Sequence, residues 1–465
     1  MNRLPSLSLV IAGQTRCSGL CNFCHCSFHY DRFGVPKDKD LRESLVGLDN
    51  ICRDEAVFDF QALEDKIIST DKWKTSGNKF HFTIWGTDPL TSFTNFQEVV
   101  DFCRDLCKRN NKQVHISTST NGLPLIREDI VVYLLKSNDI TFQLSHDGYG
   151  QFFRTQDTDP FKFDGTQQLL YANKITSISC ILNQYNALVI PNYELIVNNL
   201  PRSSNCGVRL WTMHVGHYDG QQANARGLLN GQEYDALKGK KFGDFMIRND
   251  YKMAEETGIV QLARQCDDHF ADWNHILSTF DDPKWSRLRS ALVPRLRAGT
   301  MHLSTTSKYG RPDCANFHHG LQDYSDSIDT LGNFTQCHLL QGGEPVPNPE
   351  FKMAKICETC KYRHQQECMM CGAMPALPED YICQWPYRWG QLIDEWAYRE
   401  PVKKWIDGRV GQGGQNGQNN QKRKNSNRRG DCKCQHPTEK PQVKLPTMEQ
   451  LQQLRSSLMK QLSSK

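Results

Sequence analysis

Between Leu7 and Gly216, short apolar runs alternate with stretches of helical periodicity. "LSLVIAG" (Leu7–Gly13) is an apolar run ending in glycine, as a buried strand would be. "KFHFTIW" alternates and breaks at Gly-Thr-Asp-Pro, and "QVHISTSTNGL" is β-branched and ends at Asn-Gly. "DITFQLSHDG", "ITSISCILNQYN" and "GVRLWTMHVG" complete six expected strands. "FQEVVDFCRDLCKRNN", "REDIVVYLLKSN" and "PNYELIVNNL" have helical periodicity and lie between them. Strand–helix alternation over roughly 210 residues implies parallel βα units, and an α/β barrel, complete or partial, fits. Functional groups in such a fold gather where the strands end, at the C-terminal face.

The chain has 465 residues, of which 38% are hydrophobic and 10% aromatic, enough to bury a core and too long for one small one. Its mean hydropathy of −0.62 suggests polar loops or tails as well. The net charge of +4 does not by itself call for a nucleic-acid partner. The opening "MNRLPSLSLVIAGQTRC" has no long apolar core and no small-residue cleavage site, so no secretory signal is expected. No stretch approaches the ~18 uncharged apolar residues of a membrane span. A cytoplasmic location and no membrane partner are therefore expected.

Nineteen cysteines are many for a reducing compartment, where clusters point to metal or catalytic sites rather than disulfides. The first cluster is "CSGLCNFCHC", with Cys17, Cys21, Cys24 and Cys26. The second comprises Cys314, Cys337, Cys357, Cys360, Cys368, Cys371 and Cys383. Cys103 and Cys107, four apart on an expected helix, read as buried thiols. In the first cluster, Cys17-x3-Cys21-x2-Cys24 offers three well-spaced thiolates. Closed zinc sites want four ligands. Three thiolates can hold three irons of a [4Fe–4S] cluster and leave the fourth iron open. Cys24-x-Cys26 is a tight bite, and Cys26 is set aside as a bystander.

"CSGLCNFC" resembles the CxxxCxΦC signature of radical S-adenosylmethionine (SAM) enzymes, with Phe23 at the aromatic position. "WGTDPL" resembles that family's GGEP turn, with Gly86, Thr87, Asp88 and Pro89 in its four places. "STSTNG" and "LSHDG" resemble its third and fourth strand ends. The resemblance implies a partial (β/α)6 TIM-type barrel of radical SAM type. It implies that Cys17, Cys21 and Cys24 hold a [4Fe–4S] cluster binding SAM. Phe23, Gly86, Thr87, Asp88, Ser119, Asn121, Ser145 and Asp147 would then line the cofactor site. Read singly, Asn-Gly and Asp-Gly are common turn formers, and that reading stands beside the functional one.

The seven later cysteines resemble a SPASM domain, which carries two auxiliary [4Fe–4S] clusters. By that resemblance, Cys357, Cys360, Cys368 and Cys383 hold the outer cluster, and Cys314, Cys337 and Cys371 the inner one. The inner set is one thiolate short; His318 or His319, water or substrate could complete it. "IDTLGNFTQCHLL" reads as a hairpin turning at Leu-Gly-Asn, followed by His338 where sulfatase-maturing relatives place a basic Asp. A pair of zinc sites is the alternative for this cysteine-rich unit.

The expected layout is a radical SAM barrel over 1–220, a bridging segment over 221–309 and a SPASM-like domain over 310–400. A disordered basic linker over 408–446 and a short amphipathic helix over 447–465 follow. The linker's Lys422, Arg423, Lys424, Arg428 and Arg429 could touch nucleic acid or merely be solvated. The resemblance implies reductive cleavage of SAM to a 5′-deoxyadenosyl radical and hydrogen abstraction from a C–H bond. The first expectation is oxidative modification of a peptide or protein side chain, with a reducing donor such as flavodoxin or ferredoxin. RNA, a nucleotide or a small metabolite is the alternative substrate, and a non-enzymatic zinc-stabilised binding protein the alternative to an enzyme.

Overall fold

A computed structural model describes residues 6–10, 17–19, 40–155, 158–182, 188–212, 260–293, 296, 327–335 and 385–407. All of these fall in the compact unit Met1–Asp407, and a second unit comprises Gly408–Lys465.

Seven parallel strands form one sheet with helices between them. The strands are β1 (Ser6–Val10), β2 (Lys79–Trp85), β3 (Gln113–Thr120), β4 (Ile140–Ser145), β5 (Ile175–Leu182), β6 (Gly207–Thr212) and β7 (Ser327–Asp329). The spatial order is β6-β5-β4-β3-β2-β1-β7-β8, so the first six strands stand in chain order. β8 (Phe334–Thr335) pairs antiparallel to β7 across a turn. The Asp329 carboxylate accepts from Leu331 N and Asn333 N, and Gly332 turns the chain at φ +79°, making the hairpin expected from Leu-Gly-Asn. β7 lies within the stretch assigned above to the SPASM-like unit. It nonetheless pairs with β1, in register Ser8–Ser327 to Val10–Asp329, so the sheet continues past residue 310.

Alternation along each strand divides the sheet into two unlike faces. Phe80, Phe82 and Ile84 on β2, Ile116 on β3, and Ile140, Phe142 and Leu144 on β4 are fully buried. They share one core with Phe96, Val99, Val100 and Cys103 of α4 (Phe93–Arg109), which lies between β2 and β3. α5 (Glu128–Lys136), α7 (Asp164–Tyr171) and α8 (Val189–Asn198) follow β3, β4 and β5 in turn. α6 is the single turn Phe152–Thr155. The other face carries His81, Thr83, His115, Ser117, Ser119, Thr141, Gln143 and Ser145, all half-buried. A parallel sheet covered on both faces by apolar helices would show continuous apolar runs. Here the second face is polar and internally hydrogen-bonded: His81 Nε2 meets Ser117 Oγ at 2.8 Å, and Thr83 meets the same hydroxyl at 3.1 Å. Burial, with His115 nearby, lowers the pKa of His81 to about 4, so the imidazole is neutral on this face at neutral pH.

Three helices not expected from the sequence precede β2: α1 (Leu41–Glu55), α2 (Phe60–Ser69) and α3 (Asp71–Thr75). Asp40 caps α1 by accepting from Arg42 N and Glu43 N, and Asp59 caps α2 through Ala62 N. Arg127, in front of α5, meets buried Asp49 of α1 at 2.9 Å. Further on, α9 (Val260–Ser278) packs on α8 and on α10 (Trp385–Trp396), and α11 spans Lys403–Ile406.

Gly122 and Gly148, which follow Asn121 and Asp147, sit at φ +87° and +58°. The turn reading of Asn-Gly and Asp-Gly therefore holds. At Gly122 an added Cβ would stand 2.6 Å from Leu144 Cδ1 and 2.7 Å from Pro160 Cβ. We expect Gly122→Ala to lower stability by about 2 kcal/mol or more, from left-handed strain plus this clash, read as a drop in urea midpoint.

Candidate functional site

Cys17 lies against the C-terminal end of β3 and the turn that follows β2. The Cys17 side chain is 9% exposed, and its Sγ accepts from Gly19 N at 3.3 Å and from Asn121 Nδ2 at 3.7 Å. The same Nδ2 donates to Ser18 Oγ at 3.1 Å, and Ser18 Oγ lies 3.2 Å from Thr91 Oγ1, just ahead of α4. The cysteine segment is thus tied to the end of β3, 104 positions away in the chain, and to the turn after β2. Gly19 permits the approach: a Cβ there would lie 3.2 Å from Asn121 Nδ2, 3.5 Å from Cys17 Sγ and 3.5 Å from the Arg154 carbonyl oxygen.

Of the cofactor-lining positions expected after β2, Gly86 and Asp88 are buried and Thr87 is half-buried. The Asp88 carboxylate is turned into the protein. Its Oδ2 accepts from Asn121 N at 2.8 Å and Thr120 Oγ1 at 3.1 Å, and its Oδ1 from Leu90 N at 3.2 Å. The carboxylate thus joins the ends of β2 and β3. Burial raises the pKa of Asp88 to about 6, against the hydrogen bonds that favour the anion.

This shift carries a sign. The folded chain holds the Asp88 proton more tightly than the unfolded chain. The associated stability is complete below about pH 4 and is lost as pH rises through 6, about 3 kcal/mol in all. Asp88→Asn cannot ionise. Urea midpoints of the parent chain should therefore fall relative to this variant between pH 4 and 7, whereas parallel profiles would contradict the assignment.

After β4, Asp147 is fully buried and paired two-pronged with Arg154, at 2.8 and 3.0 Å. Its Oδ1 also accepts from Ile181 N of β5 at 2.9 Å. His146, between two expected site residues, meets Asp159 Oδ1 through Nε2 and accepts Gly148 N–H on Nδ1. Neither Arg154 nor His146 was expected from the sequence. The signal available for Arg154 was the general need of a buried carboxylate for a cation.

Ser119 and Ser145 differ from these braced groups. Both are half-buried on the polar face, and among the described residues neither hydroxyl is engaged in a hydrogen bond. Ser119 stands in register with Gln143, and Ser145 with Ser179. The structure therefore brings Cys17, Asp88, Asn121, Ser119, Ser145 and Asp147 to one end of the sheet. Asp88, Asn121 and Asp147 hold strand ends together there, whereas among the described residues the two serine hydroxyls have no hydrogen-bond partner.

Cys21, Cys24, Cys26 and Phe23 lie outside the described residues, as do Cys314, His318, His319, Cys337, His338, Cys357, Cys360, Cys368, Cys371 and Cys383, and the basic linker and terminal helix. Among the described residues no helix is long and apolar enough to cross a membrane. Cys103 and Cys107 are buried in the core, as expected, and burial pushes both thiols up in pKa.

No protein-family model matches the sequence, and no curated protein matches it. Among solved structures, the chain is similar to native anSMEcpe with bound AdoMet, at 14% identity and a TM-score of 0.47, over 87% of this chain and 99% of that one. The same protein with AdoMet and the Cp18Cys peptide gives 14% identity and a TM-score of 0.46, over 88% and 99%. Streptococcus suis SuiB bound to precursor peptide SuiA gives 18% identity and a TM-score of 0.26, over 48% of this chain and 44% of that one.

Proposed function

We propose that this protein is a radical SAM enzyme that oxidatively modifies a peptide or protein side chain. The observation that carries the reading is the Asn121 amide standing on the Cys17 sulfur, at the mouth of strands in chain order. It joins the Cys17-x3-Cys21-x2-Cys24 segment to the strand ends whose motifs resemble the same family. The residues present fit a cluster: Cys17 is buried, and two N–H groups face a sulfur that would carry negative charge as a metal ligand.

In this reading Cys17, Cys21 and Cys24 hold a [4Fe–4S] cluster, which with SAM supplies the reductive cleavage that yields a 5′-deoxyadenosyl radical for C–H hydrogen abstraction. The protein's part is to bind, orient and exclude water. Gly86 and Thr87 line the site at the β2 turn, and Ser119 and Ser145 offer hydroxyls to a polar ligand. Asp88, Asn121 and the Asp147–Arg154 pair keep four strand ends in fixed relation, so that these groups need not reorganise when a ligand arrives. The six sequential parallel strands form the partial barrel, its polar face lining the interior. Cys357, Cys360, Cys368 and Cys383, with Cys314, Cys337 and Cys371, hold two auxiliary [4Fe–4S] clusters, and His338 acts as a base near the substrate.

The substrate assignment is tested with small peptides encoded beside this gene. Incubation with SAM and reductant should remove two hydrogens from one such peptide, seen by mass spectrometry. If no peptide is altered while SAM is still cleaved, the peptide assignment fails and the radical chemistry stands.

A further inference from the structure

We infer that Asn121 is a positioning residue that acts through the sulfur of Cys17 to raise the reduction potential of the cluster bound there; this rests on the iron–sulfur reading above. Which end of the Asn121 amide faces the sulfur is decided by its neighbours. Leu123 N can only donate, and it does so to Asn121 Oδ1 at 2.8 Å. The NH2 end therefore faces Ser18 Oγ at 3.1 Å and Cys17 Sγ at 3.7 Å, which gives a partner to each of its two hydrogens. The residue cannot swing away. Its backbone N–H is held by Asp88 Oδ2 at 2.8 Å, and the next residue, Gly122, makes the left-handed turn. Asn121 itself is 5% exposed.

A neutral thiol is a weak acceptor and gives a buried amide little in return. An iron-bound thiolate is anionic and accepts a charge-assisted hydrogen bond. Hydrogen bonds to the sulfurs are among the determinants of an iron–sulfur potential. Reduction adds negative charge to the cluster and its sulfurs, so a fixed N–H donor stabilises the reduced state more than the oxidised one. Gly19 N, at 3.3 Å from the same sulfur, acts in the same sense, but as backbone it is removed only by proline, which also constrains the chain there. Asn121 is a side-chain donor, and it comes from a different strand end. It would therefore tune the potential of an SAM-binding cluster rather than touch SAM itself, which differs from the ligand-lining role expected from the sequence.

The test uses the full chain loaded anaerobically with iron and sulfide, and an EPR-monitored potentiometric titration. Asn121→Ala removes the donor. Asn121→Asp keeps the acceptor for Leu123 N–H, and so the turn, but replaces the donor with a carboxylate oxygen. Ser18→Ala removes the amide's other partner, together with the Ser18–Thr91 contact, but leaves the donor on the sulfur, and should leave the midpoint where it is. At unchanged iron content, we expect both Asn121 variants to shift the reduction equilibrium at least tenfold toward the oxidised cluster, which is about 59 mV lower for a one-electron couple. Unmoved midpoints in both variants overturn the inference and leave the iron–sulfur reading intact. Loss of iron from both variants with an unchanged thermal midpoint also overturns it, making Asn121 a residue needed for assembly and not for tuning. Failure of the parent chain to bind iron overturns the iron–sulfur reading itself, and the inference falls with it.

Discussion

Alanine at Cys17, Cys21 and Cys24 together should leave a chain that folds but forms no 5′-deoxyadenosine when SAM and dithionite are added without oxygen. The expected loss is complete, because a ligand set reduced from three thiolates to none cannot retain a [4Fe–4S] cluster. Cys17→Ala alone should already remove most of the iron at this site. Its sulfur is the one on which the Asn121 and Gly19 N–H groups converge, and without it these buried donors lose their acceptor. Any auxiliary clusters would remain, so total iron should fall by about one third if two are present, and an electronic absorption band should survive. A triple variant that still cleaved SAM would move the site elsewhere in the chain.

The second large effect is on stability. Asp147→Asn should destabilise the chain by about 3–5 kcal/mol, the usual cost of breaking a buried ion pair by neutralising one member. Arg154 is 9% exposed and would keep its charge against a neutral amide, while the acceptor for Ile181 N can survive on the remaining carbonyl oxygen. The measurement is the shift in urea midpoint. Adding Arg154→Met should recover part of the loss, because an apolar side chain of similar length needs no counter-charge. A single variant within 1 kcal/mol of the parent would show that the pair is solvated and does not brace the β4 and β5 ends.

Much of the sheet was legible because β2 and β4 alternate strictly, β3 is β-branched, and the helices after them place apolar residues three and four apart. The helices before β2 were not. The buried side of α1 consists of Leu45, Leu48, Asp49 and Cys52, an apolar stripe interrupted by a carboxylate. Asp49 is accommodated there by Arg127, a residue 78 positions away that no local pattern reveals. The three-residue β7 was legible only as the start of a hairpin; its place beside β1 depends on a long-range pairing.

The same limit applies to the site. Residue type and order marked Asp88, Asn121 and Asp147 as strand-end polar groups. Whether such a group faces a ligand or braces a neighbouring strand depends on distances between strand ends, which spacing along one chain does not encode. Asn121 shows both levels at once: its Asn-Gly turn was readable, and its amide on Cys17 was not. Ser119 and Ser145, chemically the least distinctive of the set, are the ones whose hydroxyls have no hydrogen-bond partner among the described residues.

The most direct test is anaerobic purification of the full chain, reconstitution with iron and sulfide, and reduction in the presence of SAM. The proposed function predicts a brown protein whose reduced EPR signal changes on adding SAM and which releases 5′-deoxyadenosine and methionine. A colourless protein that carries zinc and leaves SAM intact would contradict it, and would make the chain a zinc-stabilised binding protein instead.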